Sequence, residues 1–204
     1  MTILSVNKTR DPMGALRSFF VGCSHVLRPF FVEEPMTKQS YRIAHAAIIA
    51  ALYAVLTHLQ NLLLPGSATW AIQMRFSEAL CILAFFTPAA IPGLSIGCLL
   101  FNLTFSAALP LDFLAGTLAT WLAAKGMWLS RKLCIFGLPL PGLLLPALTN
   151  AVLVGWELTV YIGGGFLLNA LYVALGELAV LLIPGTALYL AMKHRKLDAI
   201  LFRN

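Results

Sequence analysis

The chain has 204 residues, of which 60% are hydrophobic and only 11% charged, whereas a soluble domain usually carries about 25% charged residues. That balance excludes an ordinary water-soluble globule and asks for lipid as the main solvent. The net charge of +6 does not mark a nucleic-acid binder, because the Lys and Arg residues sit at the chain ends and in one loop, with no basic stretch interleaved by aromatics.

Residues 1–35 are mixed in character: Arg17 and Arg28 interrupt an apolar stretch, so neither a signal peptide nor a span is read there. The segment is expected to be a cytoplasmic or membrane-surface extension. Met36 opens MTKQSYRIAHAAI, a basic stretch running straight into the first span, so an upstream start ahead of the true one is another reading of it. Residues 36–204 then form the transmembrane domain.

From Tyr41 the apolar runs predict spans at about 41–64, 70–87, 89–107, 112–130, 141–162 and 168–192. Each is near the roughly 20 residues needed to cross a bilayer core, the second being the least regular. Pro65-Gly66, the Pro88 to Pro92 stretch, Pro110, the Pro139 to Pro141 stretch and Gly163-Gly164-Gly165 supply the breaks, since proline and glycine interrupt regular helix. The fold class expected is an all-α integral membrane protein, a bundle of about six transmembrane helices. With both termini cytoplasmic, 13 of the 14 basic residues fall inside and only Arg75 falls outside, as the positive-inside rule favours.

Ala46, Ala50 and Ala54 recur every fourth residue in the first span, with Ala47 and Ala51 beside them, and line one helix face with small side chains. Packing within the bundle is the ordinary role of such a face. The third span holds Gly93-Leu-Ser-Ile-Gly97, which is both GxxxG and formally GxSxG. A hydrolase elbow needs a strand-to-helix turn, whereas Ser95 lies inside an apolar helix without a nearby base, so close helix packing is the better reading. The four cysteines (Cys23, Cys81, Cys98, Cys134) form no CxxC or Cys/His pattern, and neither a disulfide, a metal nor a cofactor is expected.

Ionisable groups in a spanning helix are costly and usually face a cavity or a partner. Under the predicted topology Arg75, Glu78, Asn102, Asp112, Glu157 and Glu177 all fall in the outer half, Glu177 about 13 Å deep at 1.5 Å per residue. Arg75 and Glu78, three apart, could form an ion pair or meet a ligand. Asp112 follows Pro110 and reads as a helix cap. Asn102 and Asn150 suit either interhelical hydrogen bonding or direct binding. Asn150, Glu157 and Tyr161 share one helical face. Glu157 and Glu177 have no basic partner near in sequence, so a ligand explains them best. Trp70, Trp156, Tyr161, Phe166 and Tyr172 gather toward the same end, mostly as an interfacial belt, with one or two able to stack on a flat heterocycle. His45 and His58 have no metal-ligand neighbours and read as packing or helix-end hydrogen bonds.

Several motifs together resemble the QueT-type substrate-binding subunits of energy-coupling factor transporters. They are Arg75-Phe76-Ser77-Glu78-Ala79-Leu80, Ala90-Ile91-Pro92-Gly93-Leu94, Gly97-Cys98-Leu99-Leu100-Phe101-Asn102, Gly116-Thr117-Leu118-Ala119-Thr120, Asn150-Ala151, Val154-Gly155-Trp156-Glu157-Leu158 and Gly176-Glu177-Leu178. The resemblance covers about Tyr41 to Lys193, and the basic amphiphilic segment before Met36 has no counterpart in it. It implies six helices in a bacterial plasma membrane and an outward-facing pocket for a queuosine precursor of the 7-deazaguanine type. The partners it implies are a transmembrane coupling subunit and two ABC-type ATPases, with Ala46, Ala47, Ala50, Ala51 and Ala54 as the docking face. The substrate-binding residues expected are Arg75, Glu78, Asn102, Asn150, Glu157, Tyr161 and Glu177.

The residues agree independently on one point: the chain has no GxxxxGK[ST] phosphate loop, so energy from ATP bound in that manner must come through partners. A 7-deazaguanine offers a flat ring and an N–H pair that a carboxylate can accept in bidentate fashion, and an aminomethyl arm adds a cation. Two carboxylates could divide that work, in an order the sequence leaves open. The rival reading is a small proton-coupled secondary transporter using Glu157 and Glu177, against which no repeated broken-helix pattern is visible. A membrane enzyme built on Ser95 is the third class, and the chain is read as no enzyme.

Overall fold

A computed structural model describes residues 37–65, 67, 74–105, 111–135 and 137–202. The expected extension at 1–35, with Cys23, and also Trp70, Pro110 and Arg203 lie outside the described residues. Among those described the fold is helical, with no strand and one isolated bridge between Ile135 and Leu138.

Helix α1 spans Lys38–Leu63, a 3₁₀ helix spans Phe76–Phe85, α2 Ala90–Thr104 and α3 Asp112–Ser130. Then come α4 (Leu140–Leu143), α5 (Leu145–Tyr161), α6 (Phe166–Val180), α7 (Thr186–His194) and α8 (Leu197–Leu201). A five-residue π turn, Leu181–Gly185, joins α6 to α7 around Pro184. Proline has no N–H to donate and its ring crowds the preceding carbonyl, so the ladder widens there instead of ending. Among the described residues, three stretches are long and apolar enough to cross a membrane: Lys38–Leu63, Leu140–Tyr161 and Phe166–His194. Two of the expected spans are shorter than foreseen, at Phe76–Phe85 and Ala90–Thr104.

The short second segment is the hub of the bundle. It packs against α1, α2, α3, α6, the π turn and α7, and Ser77, Glu78, Ala79 and the run Cys81 to Phe85 are buried. A 3₁₀ helix rises about 2.0 Å per residue, so ten residues reach about 20 Å, further than the same number would in an α-helix. Its three-residue turn also eclipses residues three apart, which stacks Cys81 beneath Glu78.

Around this hub α1 packs on α2, α2 on α3, α3 on α5 and α5 on α6. The first contact depends on the glycines of the third predicted span. A Cβ at Gly93 would lie 2.8 Å from the Ala46 carbonyl oxygen, and one at Gly97 2.8 Å from that of Ala50, so only glycine lets the two backbones meet. Ser95 between them donates to the Ile91 carbonyl of its own helix at 2.8 Å, a helix-internal role that leaves the elbow reading without support.

The polarity of the molecule is inverted relative to a soluble protein. Large apolar side chains such as Ile43, Leu62, Leu129, Leu148, Leu167 and Ile183 are exposed, while Arg75, Glu78, Asp112, Glu157 and Glu177 are buried. Such a surface suits lipid. Every described Lys or Arg except Arg75 lies toward one end, at the start of α1, the last turns of α3 and the loop after it, and the end of α7 with the turn that follows. Ring contacts tie these ends together: His45 meets Phe202 edge-on at 5.4 Å and Phe85 meets Tyr189 at 5.9 Å.

Candidate ligand-binding site

The half of the bundle away from the basic residues holds most of the buried polar groups. Helix α1 turns a stripe inward at Tyr53, Thr57 and Gln60, spaced by four and three residues. The Tyr53 hydroxyl donates to Oε1 of Glu78, and the Cys81 thiol donates to Oε2 at 3.0 Å. Thr57 and Ser77 share a hydrogen bond of 2.7 Å, and the Phe76 amide donates to the Gln60 side-chain oxygen at 2.8 Å. Glu78, only 1% exposed, is therefore held from two elements.

Arg75, at the head of the 3₁₀ helix, lies with its guanidinium carbon 6.0 Å from the Phe101 ring centroid, and Nη1 is 4.0 Å from Cys98 Sγ. Asp112 and Glu78 are both among its charged neighbours. Across from it the Asn102 amide donates to the Asp112 backbone carbonyl at 2.8 Å, joining α2 to α3. That approach requires Gly116, where a Cβ would lie 2.9 Å from Asn102 Nδ2. Asp112 is not the cap that its position suggests. Leu111 holds the N-cap position, and Asp112 sits buried in the first turn, where the helix dipole favours a carboxylate.

On the far wall, the Asn150 amide of α5 donates to Oε1 of Glu177 in α6 at 3.0 Å. Glu157 is fully buried, with Asp112 and Arg75 as charged neighbours. Neither Glu157 oxygen accepts from a donor group among the described residues, although the Asp112 carboxyl lies within hydrogen-bond reach of it, and no partner is found for Oε2 of Glu177 or Oδ1 of Asn102. All four are acceptors. A buried acceptor left unmatched costs about 1–3 kcal/mol, more when charged, so this set is matched to something that brings donors.

A family model described as QueT transporter matches residues 43–194. The chain belongs to the QueT transporter family. No curated protein and no solved structure matches it. The matched stretch runs from within α1 to the last residue of α7, so it contains every buried polar group described above. Membership makes the chain a membrane transporter component, and the family is one of transporters rather than enzymes.

Of the residues singled out in sequence, this QueT-family fold buries Arg75, Glu78, Asn102, Asn150, Glu157 and Glu177 together at its less basic end. Tyr161 does not join them: it is 41% exposed at the end of α5, and Trp156 and Phe166 are exposed as well, in the manner of an interfacial belt. Glu177 lies deeper than expected, about 16 Å along its helix, because α6 starts two residues earlier than predicted. His58 bonds Thr104 at 2.9 Å, a helix-end contact.

Two buried aromatics were missed, Tyr53 and Phe101. The polar spacing of Tyr53, Thr57 and Gln60 was the available signal for the first; Phe101, within an apolar helix, gave none. The alanine face divides. Ala50 is buried against α2, while Ala47 and Ala51 remain exposed. They help line an open apolar groove of about 610 Å³ with Ala46, Ala50, Pro88, Pro92 and Ile96.

Proposed function

We propose that this chain is the substrate-binding subunit of an energy-coupling factor importer in a bacterial plasma membrane. It captures a queuosine precursor of the 7-deazaguanine type on the outer face and hands it to a transmembrane coupling subunit driven by two ABC-type ATPases. The observation that carries the reading is the buried acidic cluster, in which Glu157 lies against the Asp112 carboxyl beside acceptors on Glu177 and Asn102 that have no hydrogen-bond partner among the described residues. A deazaguanine brings a pair of N–H donors on one edge, which suits such a carboxylate.

The orientation follows from charge. The basic end faces the cytoplasm and the multi-pass bundle opens its acidic end outward. The groove over Ala47 and Ala51 is the docking face, because small side chains let a partner helix approach closely.

Calorimetry on the full chain in lipid nanodiscs tests the reading. Binding of a 7-deazaguanine without ATP or any partner is expected, as is co-purification of a coupling subunit and ATPases from native membranes. Absence of binding to every queuosine precursor, on protein with a cooperative melting transition, would overturn it. Uptake that follows the proton gradient and persists without ATPases would replace it with a secondary transporter.

A further inference from the structure

The groove over Ala47 and Ala51 lies between α1 and α2; on the flank of α2 that meets α3 there is another open groove, of about 460 Å³. Ser95 and Leu99 of α2 and Phe113, Leu114, Leu118 and Trp121 of α3 line it. The Ser95 hydroxyl is spent on the Ile91 carbonyl of its own helix, so the wall is in effect apolar.

A cation marks one end. Lys125 lies one turn beyond Trp121 on the same face of α3, and its Nζ is held 4.6 Å from the centroid of the Trp121 ring. The ring attracts the ammonium but brings no charge to neutralise it. Arg131, nearer the end of the same helix, is already occupied: its guanidinium carbon is 3.6 Å from the Trp128 ring centroid, and Nη1 donates to the Trp128 carbonyl at 2.6 Å. Lys125 has no hydrogen bond or ion pair among the described residues.

Register puts this cation at the membrane boundary. Helices α2 and α3 run antiparallel, with the Asn102 amide on the Asp112 carbonyl and Gly116 against Cys98. Continuing that register brings Ala90, the first residue of α2, level with Ala124. Lys125 thus stands where α2 enters the bundle. From there to Phe113 helix α3 rises about 18 Å at 1.5 Å per residue, against about 15 Å for the hydrocarbon of one leaflet.

We infer that this groove holds an anionic phospholipid of the leaflet at the basic end, its phosphate on Lys125 and one acyl chain along Trp121, Leu118 and Leu114. An apolar wall about one leaflet long, with a cation at headgroup level, matches a chain charged at one end. A net anionic headgroup is favoured over a zwitterionic one, because an ammonium beside the phosphate repels Lys125. The site does not depend on the queuosine-precursor reading; only its assignment to the cytoplasmic leaflet rests on the proposed orientation.

Native mass spectrometry of the full chain with equimolar phosphatidylglycerol and phosphatidylcholine of the same acyl chains tests it. Phosphatidylglycerol is expected to be retained in about 5-fold preference, the worth of one basic residue close to an anionic surface. Lys125→Gln brings the two lipids to parity, whereas Arg131→Gln leaves the preference in place. Leu118→Trp, which fills the groove from an exposed position, removes the retained lipid of either kind. Phosphatidylglycerol also raises the melting temperature of the unaltered chain above its value in phosphatidylcholine, since a ligand that binds only the folded state stabilises it.

Equal retention of the two lipids by the unaltered chain, or a preference that survives Lys125→Gln, overturns the inference. So does a spectrum in which a second copy of the chain or another protein replaces the lipid and Leu118→Trp breaks that assembly. The headgroup comparison edits the lipid and not the protein, so it stands even where a variant fails to fold.

Discussion

The Tyr53 hydroxyl donates to Oε1 of Glu78, tying the long first helix to the short 3₁₀ helix at the centre of the bundle. Tyr53 is fully buried, and its Cβ lies against Gly97 of α2, so one side chain of α1 touches two other elements. Removing only the hydroxyl isolates the polar part of that contact. Tyr53→Phe is expected to destabilise the fold by about 1–3 kcal/mol, the cost of leaving a buried carboxylate oxygen unmatched. A melting curve in detergent reads the loss. An unchanged melting temperature would mean that Glu78 finds another donor.

The glycines of α2 make a contrasting pair with the serine between them. Gly97→Ala puts a Cβ 2.7 Å from that of Tyr53 and 2.8 Å from the Ala50 carbonyl oxygen, so α1 must move away. Overpacking of this kind costs about 1–3 kcal/mol. Ser95→Ala loses only a bond to its own helix and is expected to change stability little. Thermal melting of both variants checks the pair, and equal effects would count against close packing as the purpose of the motif.

Much of this arrangement was legible in sequence, for identifiable reasons. Helix α3 occupies Asp112–Ser130 as predicted, because an apolar run between proline breaks leaves little choice. The grouping of Glu78, Glu157 and Glu177 followed from the cost of burying charge, which holds whatever the packing. What failed depended on contacts between elements. Asp112 follows a proline and so resembled a cap, but its burial beside Arg75 and Glu157 is set by how α3 meets the 3₁₀ helix and α5. The 3₁₀ helix itself is buried on nearly every side, so its sequence carries no periodic face to distinguish it from an α-helix. Tyr53 was overlooked because its role lies in a carboxylate 25 residues away.

The docking proposal is sharpened by the split in the alanine face. Ala50 is 4% exposed and backs onto α2, so bulk there disturbs the fold and says nothing about a partner. Ala47 and Ala51 open into the groove and are the informative positions. Ala47→Leu with Ala51→Leu is expected to abolish co-purification with the coupling subunit and uptake, while ligand affinity stays within about 2-fold, because no buried polar contact is touched. Assembly that survives both substitutions would place the interface elsewhere.

The carboxylates themselves give the most discriminating prediction, because stability and binding should move in opposite directions. Glu157 faces the Asp112 carboxyl, so Glu157→Gln replaces one of two crowded carboxyls with an amide that can donate to the other, and is expected to leave the melting temperature unchanged or higher. Affinity for the ligand should nonetheless fall by roughly 10- to 150-fold, the worth of a charge-assisted hydrogen bond at about 1.5–3 kcal/mol. Glu177→Gln can keep its bond from Asn150 through the remaining carbonyl oxygen, so it too should fold while binding more weakly. Glu78→Gln is the counter-case: with Tyr53 and Cys81 both donating to it, the amide swaps an acceptor for a donor and stability should drop. Paired melting curves and binding isotherms on the three variants separate the roles. Undiminished affinity in both Glu157→Gln and Glu177→Gln would move the ligand contact to Asn102 and Glu78. A lost transition in Glu157→Gln would mean that this carboxylate holds the helices together instead of waiting for a ligand.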